Sequence, residues 1–292
     1  MTAQRDRRIL VGTAGWADRD LVDSGWYPPQ VRTAAARLAY YAEQFPLAEV
    51  NTSYYAIPTA ATVEGWVKAA GGLVMDVKAY RLLTGQPTPV ASLPPHLRAG
   101  APRSLLTSRT VPDSLLRAAW QHFRDGLEPL RAVNRLGRVL LQFPASVTPN
   151  EPGLALVGRA LELCRPLRAA VEFRHAAWLE SEQRARSLRL LADHDAAYVC
   201  VDMPRHSSAA MPPSLEVTSA TAVVRLHGRS SRWIGGDKRE RYQYDYTGAE
   251  LSQWADNARA LAGRADEVHV IVNTCCSGAA QRAAAGLREA LR

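Results

Sequence analysis

Gly137-Arg138-Val139-Leu140-Leu141-Gln142-Phe143 places aliphatic side chains at consecutive positions and reaches a polar residue, Gln142, near its end. A strand with one wet face alternates apolar and polar residues, whereas a strand buried on both faces is apolar throughout. Seven other runs have the same character: Ile9–Thr13, Leu47–Asn51, Leu73–Lys78, Arg168–Phe173, Ala197–Asp202, Ala222–His227 and Val268–Asn273. The segments between them have helical periodicity. Helices are predicted over Thr33–Phe45, Thr59–Ala70, Pro112–Asn134, Glu151–Cys164, Trp178–His194, Thr247–Leu261 and Ala279–Arg292, with Thr33 as an N-cap and Gly71-Gly72 as a stop. Pro204–Pro213 is rich in Pro and Ser, so the helix after the sixth strand is missing or short. Thr84–Val111 has no clear period and reads as a long excursion after the third strand.

Strands alternating with helices in this way predict an α/β protein, a single (β/α)8 TIM-barrel-like domain over residues 1–292. A doubly wound open sheet is the alternative, but Gly12-Thr13-Ala14-Gly15 lacks the G-x-G-x-x-G spacing after the first strand. The chain has 292 residues, enough for one barrel without disulfide or metal staples. Its net charge is +8, and only three of its 36 basic residues (Lys68, Lys78 and Lys238) are lysines. Joint enrichment in Arg and Ala is the signature of GC-rich coding, so the total charge identifies no partner and position must decide. Met1–Leu10 has no apolar signal region, no run is long enough to span a membrane, and the four cysteines form no C-x-x-C pair. These features predict a cytoplasmic protein. The adjacent Cys275-Cys276 reads either as small residues packed at a strand end or as a redox pair.

Barrel chemistry sits at the C-terminal ends of the strands. Those ends carry Thr13 and Trp16; Glu49, Asn51, Tyr54 and Tyr55; Lys78; Gln142; Glu172, Arg174 and His175; Asp202 and Arg205; Arg225, His227 and Arg229; and Asn273. Residues two apart on a strand share a face, so Arg225 and His227 should both line the upper interior with Arg229 on the same parity. Asn273 would top the row of His269 and Ile271, and His175 would face away. Glu172, Asp202 and His227 are the candidates for proton transfer. Lys78, Arg174, Arg225 and Arg229 would hold an anion, Gln142, Asn51 and Asn273 would bind polar groups, and Trp16 and Tyr55 would offer stacking faces. Ion pairs of Glu172 or Asp202 with Lys78, Arg174 or Arg225 would offset the cost of burying these charges.

No cofactor is predicted. Glu172, Asp202, His227 and Asn273 could hold a divalent metal, but the surrounding cations oppose it. No G-x-S-x-G or P-loop is present. The stretch from Arg229 to Tyr246 interleaves cations with aromatics around Gly235-Gly236. It reads as a loop that contacts nucleic acid or a phosphorylated ligand, or as a solvated loop whose tyrosines pack on the barrel rim.

Taken together, these segments resemble the YecE-like family, the domain of unknown function numbered 72. The resemblance runs through Gly12-Thr13-Ala14-Gly15-Trp16, Trp26-Tyr27-Pro28, Glu49–Tyr55, Val77-Lys78, Leu141–Pro144, Val171–His175, Asp202–Pro204, Val224–Arg229, Leu251–Ala255 and Val272-Asn273. It implies a TIM-barrel-like fold and supplies no activity. Two positions depart from the family pattern: Thr274 stands where a second Asn is usual, followed by Cys275-Cys276, and Thr84-Gly85 stands where Thr-His is common. The residues point to an enzyme (a hydrolase, lyase or isomerase) that binds an anionic small molecule, a phosphorylated sugar or nucleotide, by carboxylate acid/base chemistry. A nucleic-acid-binding protein and a non-catalytic ligand sensor are the alternatives.

Overall fold

The computed structural model describes residues 8–102, 104–204, 211–233 and 235–292. Eight strands form the barrel: β1 (Arg8–Ala14), β2 (Leu47–Val50), β3 (Val74–Lys78), β4 (Leu136–Gln142), β5 (Ala169–Glu172), β6 (Ala197–Asp202), β7 (Thr221–Leu226) and β8 (Glu267–Val272). Every strand pairs in parallel with its neighbours in sequence, and β1 pairs with β8 to close the ring. Both faces are covered, the outer one by helices, and continuous apolar runs are the sequence cost of that arrangement.

Most helices lie within about two residues of their predicted bounds. Thr33, Thr59 and Thr247 cap the helices that follow them, each hydroxyl accepting a backbone N–H. The segment predicted as one helix over Trp178–His194 is instead a single turn, Ala176–Leu179, followed by a helix over Ser181–Asp193. The break falls where Ser181 takes φ = 42°, a conformation no continuous helix contains. The excursion after β3 carries a short helix, Pro95–Arg98, and a ribbon pairing Thr88–Pro89 with Leu105–Leu106. Leu93, Leu97 and Leu106 bury it against the body. Residues 211–220 form no helix. Arg205 and the rest of 205–210 lie outside the described residues. Among the described residues no helix is long and apolar enough to cross a membrane.

The barrel interior is layered. Leu10, Leu47 and Ile271 pack in the middle. Below them, Asp76 accepts from the Arg138 backbone N–H at 2.6 Å and contacts His269 Nδ1 at 2.9 Å. His269 Nε2 reaches Glu267 at 2.8 Å. Gly137 makes room for this cluster, since a Cβ there would stand 2.2 Å from Asp76 Oδ1. Burial opposes a charge on His269, but Asp76 and Glu267 override it and push the imidazole up to about 9.

A raised folded-state pKa stabilises fully below the unfolded value and is lost as pH climbs through the folded one. Thermal unfolding should therefore show stability declining from about pH 6.5 to beyond pH 9, by on the order of 3 kcal/mol. His269→Gln should flatten that slope; an unchanged slope in the variant would remove His269 as its source.

Candidate functional site

Arg225 is buried at the top of the interior, 1% exposed. Its Nε and Nη2 donate to Glu49 Oε2 and Oε1 at 2.8 and 2.6 Å, a bidentate pair, and Nη1 donates to Glu172 Oε2. Glu172 is fully buried. Its Oε1 accepts from Gln142 Nε2 at 2.8 Å, contacts His227 Nε2 at 3.1 Å and pairs with Arg174. Burial pushes this carboxyl upward, but Arg174 and Arg225 outweigh burial and hold it well below the usual range.

His227 is equally buried. Asn273 Nδ2 donates to His227 Nδ1 at 2.9 Å, which fixes the tautomer with hydrogen on Nε2, directed at Glu172. Burial lowers this imidazole to about 3 despite Glu172, so it is neutral. Glu172, Arg174, Arg225, His227, Gln142 and Asn273 are thus linked in one network, in which Glu172 joins Arg174, and Arg225 joins His227 through Glu172.

A cavity of about 660 Å³ opens above this network. Lys78, Gln142, Arg174, Arg225 and Asn273 line its floor, and Asn51, Tyr54, Tyr55 and Thr274 line its walls. Lys78 Nζ donates to Gln142 Oε1 at 2.6 Å and stands 4.6 Å from the centre of the Tyr54 ring. Burial, joined by Arg225, brings this amine down to about 7, with Glu49 and Glu172 opposing. Asn51 Oδ1 and Thr274 Oγ1 are buried without a hydrogen-bond partner among the described residues. Tyr55 is 52% exposed at the rim.

Several expected site residues lie elsewhere. Asp202 stands opposite Leu226 in the register, while Arg225 stands opposite Val201. Paired neighbours in a sheet face the same way, so Asp202 points out of the barrel and does not join Glu172. Arg229 does not continue the face of Arg225 and His227, because Gly228 takes φ = 82° and breaks the alternation. Instead Arg229 Nε bonds Asp202 at 2.9 Å and its Nη1 bonds Glu250 at 3.0 Å. Trp16 offers no stacking face to a ligand: it is 9% exposed and packs against Tyr41 and Trp66. His175 faces away as expected, its Nδ1 accepting from Ala177 N–H at 3.2 Å.

The metal alternative does not assemble, since both oxygens of Glu172 already receive donors and Asp202 is committed to Arg229. Among the described residues no three His, Cys, Asp or Glu side chains cluster as ligands. In the stretch from Arg229 to Tyr246 the rings turn inward. Tyr246 donates to Asp202 at 2.8 Å, Tyr244 donates to Glu250 at 2.7 Å, and Trp233 and Tyr242 cover His227. Cys275 and Cys276 are free thiols on the cavity wall, and burial pushes Cys275 up to about 12, far from a thiolate nucleophile.

Glu49 is the residue that sequence reasoning undervalued. It is visible as a strand-end carboxylate, but only the closed barrel brings it across to Arg225. Gln86, which accepts from Tyr54 at 2.5 Å and donates to the Gln142 carbonyl at 3.2 Å, carries no sequence signal at all.

Comparisons with known proteins agree on the family. The family described as "Protein of unknown function DUF72" matches residues 10–292. The UPF0759 protein YunF of Bacillus subtilis (strain 168) is 26% identical over 278 residues, covering 92% of this chain and 90% of that one. The crystal structure of a DUF72 family protein from Thermotoga maritima MSB8 superposes with a TM-score of 0.78 at 26% identity, over 97% of this chain and 99% of the other. A DUF72 family protein from Enterococcus faecalis V583 gives a TM-score of 0.79 at 21% identity, over 97% and 95% of the two chains.

Glu172→Gln should destabilise the fold by about 3–5 kcal/mol in urea unfolding, because it leaves Arg225 and Arg174 buried against one carboxylate fewer. Asp202→Asn should cost about 1 kcal/mol, since its partner Arg229 is 36% exposed, and should instead speed proteolysis within residues 229–246. Equal losses in the two variants would contradict the separation of the two clusters.

Proposed function

The chain belongs to the DUF72 family, and from that premise and the geometry of its mouth we propose that it is an enzyme acting on a small anionic molecule. The observation that carries this reading is the charge composition of the cavity floor. Three cations, Lys78, Arg174 and Arg225, meet two carboxylates, Glu49 and Glu172. The floor is balanced when Lys78 is neutral and one positive charge in excess when Lys78 is protonated. An anion seated beside Arg174 and Lys78 would complete it.

A phosphorylated sugar or a nucleotide suits the remaining walls. A cavity of about 660 Å³ is in the range of small-molecule sites. Gln142 and Asn273 offer polar contacts, and the partnerless Asn51 Oδ1 and Thr274 Oγ1 could bond a sugar hydroxyl. The exposed Tyr55 could cover a ring. In this reading Glu172 positions the two guanidiniums. Proton transfer falls to Lys78, the titratable group that faces the ligand with its pKa near neutrality. A perturbed amine in a cleft favours an enzyme over a passive sensor.

Calorimetry with inorganic phosphate and with ribose 5-phosphate at low ionic strength tests this reading. Each should bind at one site with proton uptake, and affinity should fall as pH rises through about 7, because the anion favours protonated Lys78. Arg174→Gln should weaken binding at least about tenfold, the loss of one charge-assisted contact. If neither compound saturates a site, the reading fails. If a single-stranded oligonucleotide binds instead with steep salt dependence, the partner is nucleic acid.

A further inference from the structure

Lys78 is one of three lysines in the chain and faces the mouth from a strand end. Its amine is held by geometry. The Gln142 amide donates to Glu172 through Nε2, which leaves Oε1 turned to accept a hydrogen bond from Nζ. The face of Tyr54 covers one side of the amine. Among the described residues no carboxylate comes within ion-pairing distance of Nζ, because Arg225 occupies Glu49 and shares Glu172 with Arg174. The charged groups that act most strongly on the amine are Glu49 on β2, Glu172 and Arg174 from β5 and the turn after it, and Arg225 on β7, and Arg81 lies over the same Tyr54 ring at 5.5 Å. Arg174 lies beside it on the same floor, paired with Glu172 and hydrogen-bonded to Tyr242, and lines the cavity through which a ligand's anion would approach.

We propose that Lys78 is a covalent nucleophile that condenses with the carbonyl group of an anionic aldehyde or ketone. This inference rests on the anion-binding reading of the mouth and narrows its substrate class. The unprotonated Nζ attacks the carbonyl carbon to give a carbinolamine. Both nitrogen protons pass to the carbonyl oxygen, the C–O bond breaks, water leaves and a C=N bond forms. Protonation of that imine restores a positive charge at the floor, opposite the ligand's anion. The resulting iminium draws electrons from the neighbouring carbon, which permits cleavage of a C–H or C–C bond there. That is the chemistry of a lyase or an isomerase.

Burial and the neighbouring guanidiniums leave a large fraction of Lys78 as free amine at pH 7, whereas an ordinary exposed lysine is about one part in a thousand free amine there. The test is reductive trapping of the wild-type protein with glyoxylate and sodium cyanoborohydride at pH 7, followed by peptide mass mapping. One carboxymethyl group should appear on Lys78 at least about a hundred times faster than on Lys68, which is exposed on its helix. The rate should rise with pH through about 7, opposite to the trend of phosphate affinity, and inorganic phosphate should slow it. Lys78→Arg should abolish the fast adduct, and Lys68→Arg should leave it intact. If Lys68, Lys78 and Lys238 are labelled at equal rates, or if Lys78 stays unlabelled in protein that binds phosphate, covalent capture is overturned while anion binding stands. If neither phosphate nor glyoxylate engages the mouth, both readings fall together.

Discussion

Burying a guanidinium inside a closed barrel is costly, and carboxylates within bonding distance offset that cost. Arg225 meets this constraint by reaching across the interior to Glu49 on β2 and Glu172 on β5. Three strands far apart in the chain are thereby fixed in relative height. Everything else at the mouth is arranged around that triad. Gln142 can hold Lys78 because Glu172 has already oriented its amide. His227 can hold a single tautomer because Glu172 and Asn273 bracket it. Burying so many charges gains little stability over an apolar core, so a fold that needed only to be stable would not require them.

The two ends of the barrel use the same kind of groups differently. At the lower end Asp76, His269 and Glu267 satisfy one another, and Gly137 is the gap that admits them. That cluster lines no cavity at the mouth. The upper network is satisfied only in part. Among the described residues the amine of Lys78 has a single acceptor, and Asn51 Oδ1 and Thr274 Oγ1 on the walls above have no hydrogen-bond partner. Both ends leave buried polar atoms without a partner among the described residues, Arg138 Nη1 and Nη2 below among them, so it is the cavity above, and not the completeness of the bonding, that marks the upper end as the binding surface.

Strand identity was legible because double-sided burial writes itself as unbroken aliphatic runs, and such a pattern survives in a single sequence. Facing within one strand was legible for the same reason: alternation put Glu172 with Arg174 and Arg225 with His227. Facing across strands was not. Asp202 ends its run as plausibly as Glu172 does, and only the register, which sets it beside Leu226, shows that it points outward. Arg229 was misplaced by carrying alternation through Gly228, whose left-handed backbone resets the direction. Trp16 follows a strand end just as Tyr55 does, but the helix carrying Tyr41 and the one carrying Trp66 close over it. Each of these misplacements needed a fact about a neighbouring element that local sequence does not contain.

The separation of Asp202 from Glu172 has a consequence for the Arg- and Tyr-rich stretch after β7. Asp202, Arg229, Glu250, Tyr244 and Tyr246 bond to one another outside the barrel wall, and this second cluster anchors the stretch at both ends. Its middle then lies over the mouth, with Trp233 and Tyr242 covering His227 and Cys275 N–H bonded to the Tyr242 carbonyl at 2.8 Å. Glu172 and His227 are fully buried beneath this cover, and buried groups hold their charges and hydrogen bonds more strongly. The amine of Lys78 sits at the edge of that buried region, open to the cavity on its other side. Its depressed basicity therefore follows first from its own burial and then from the guanidinium of Arg225, while Glu49 and Glu172 oppose the shift.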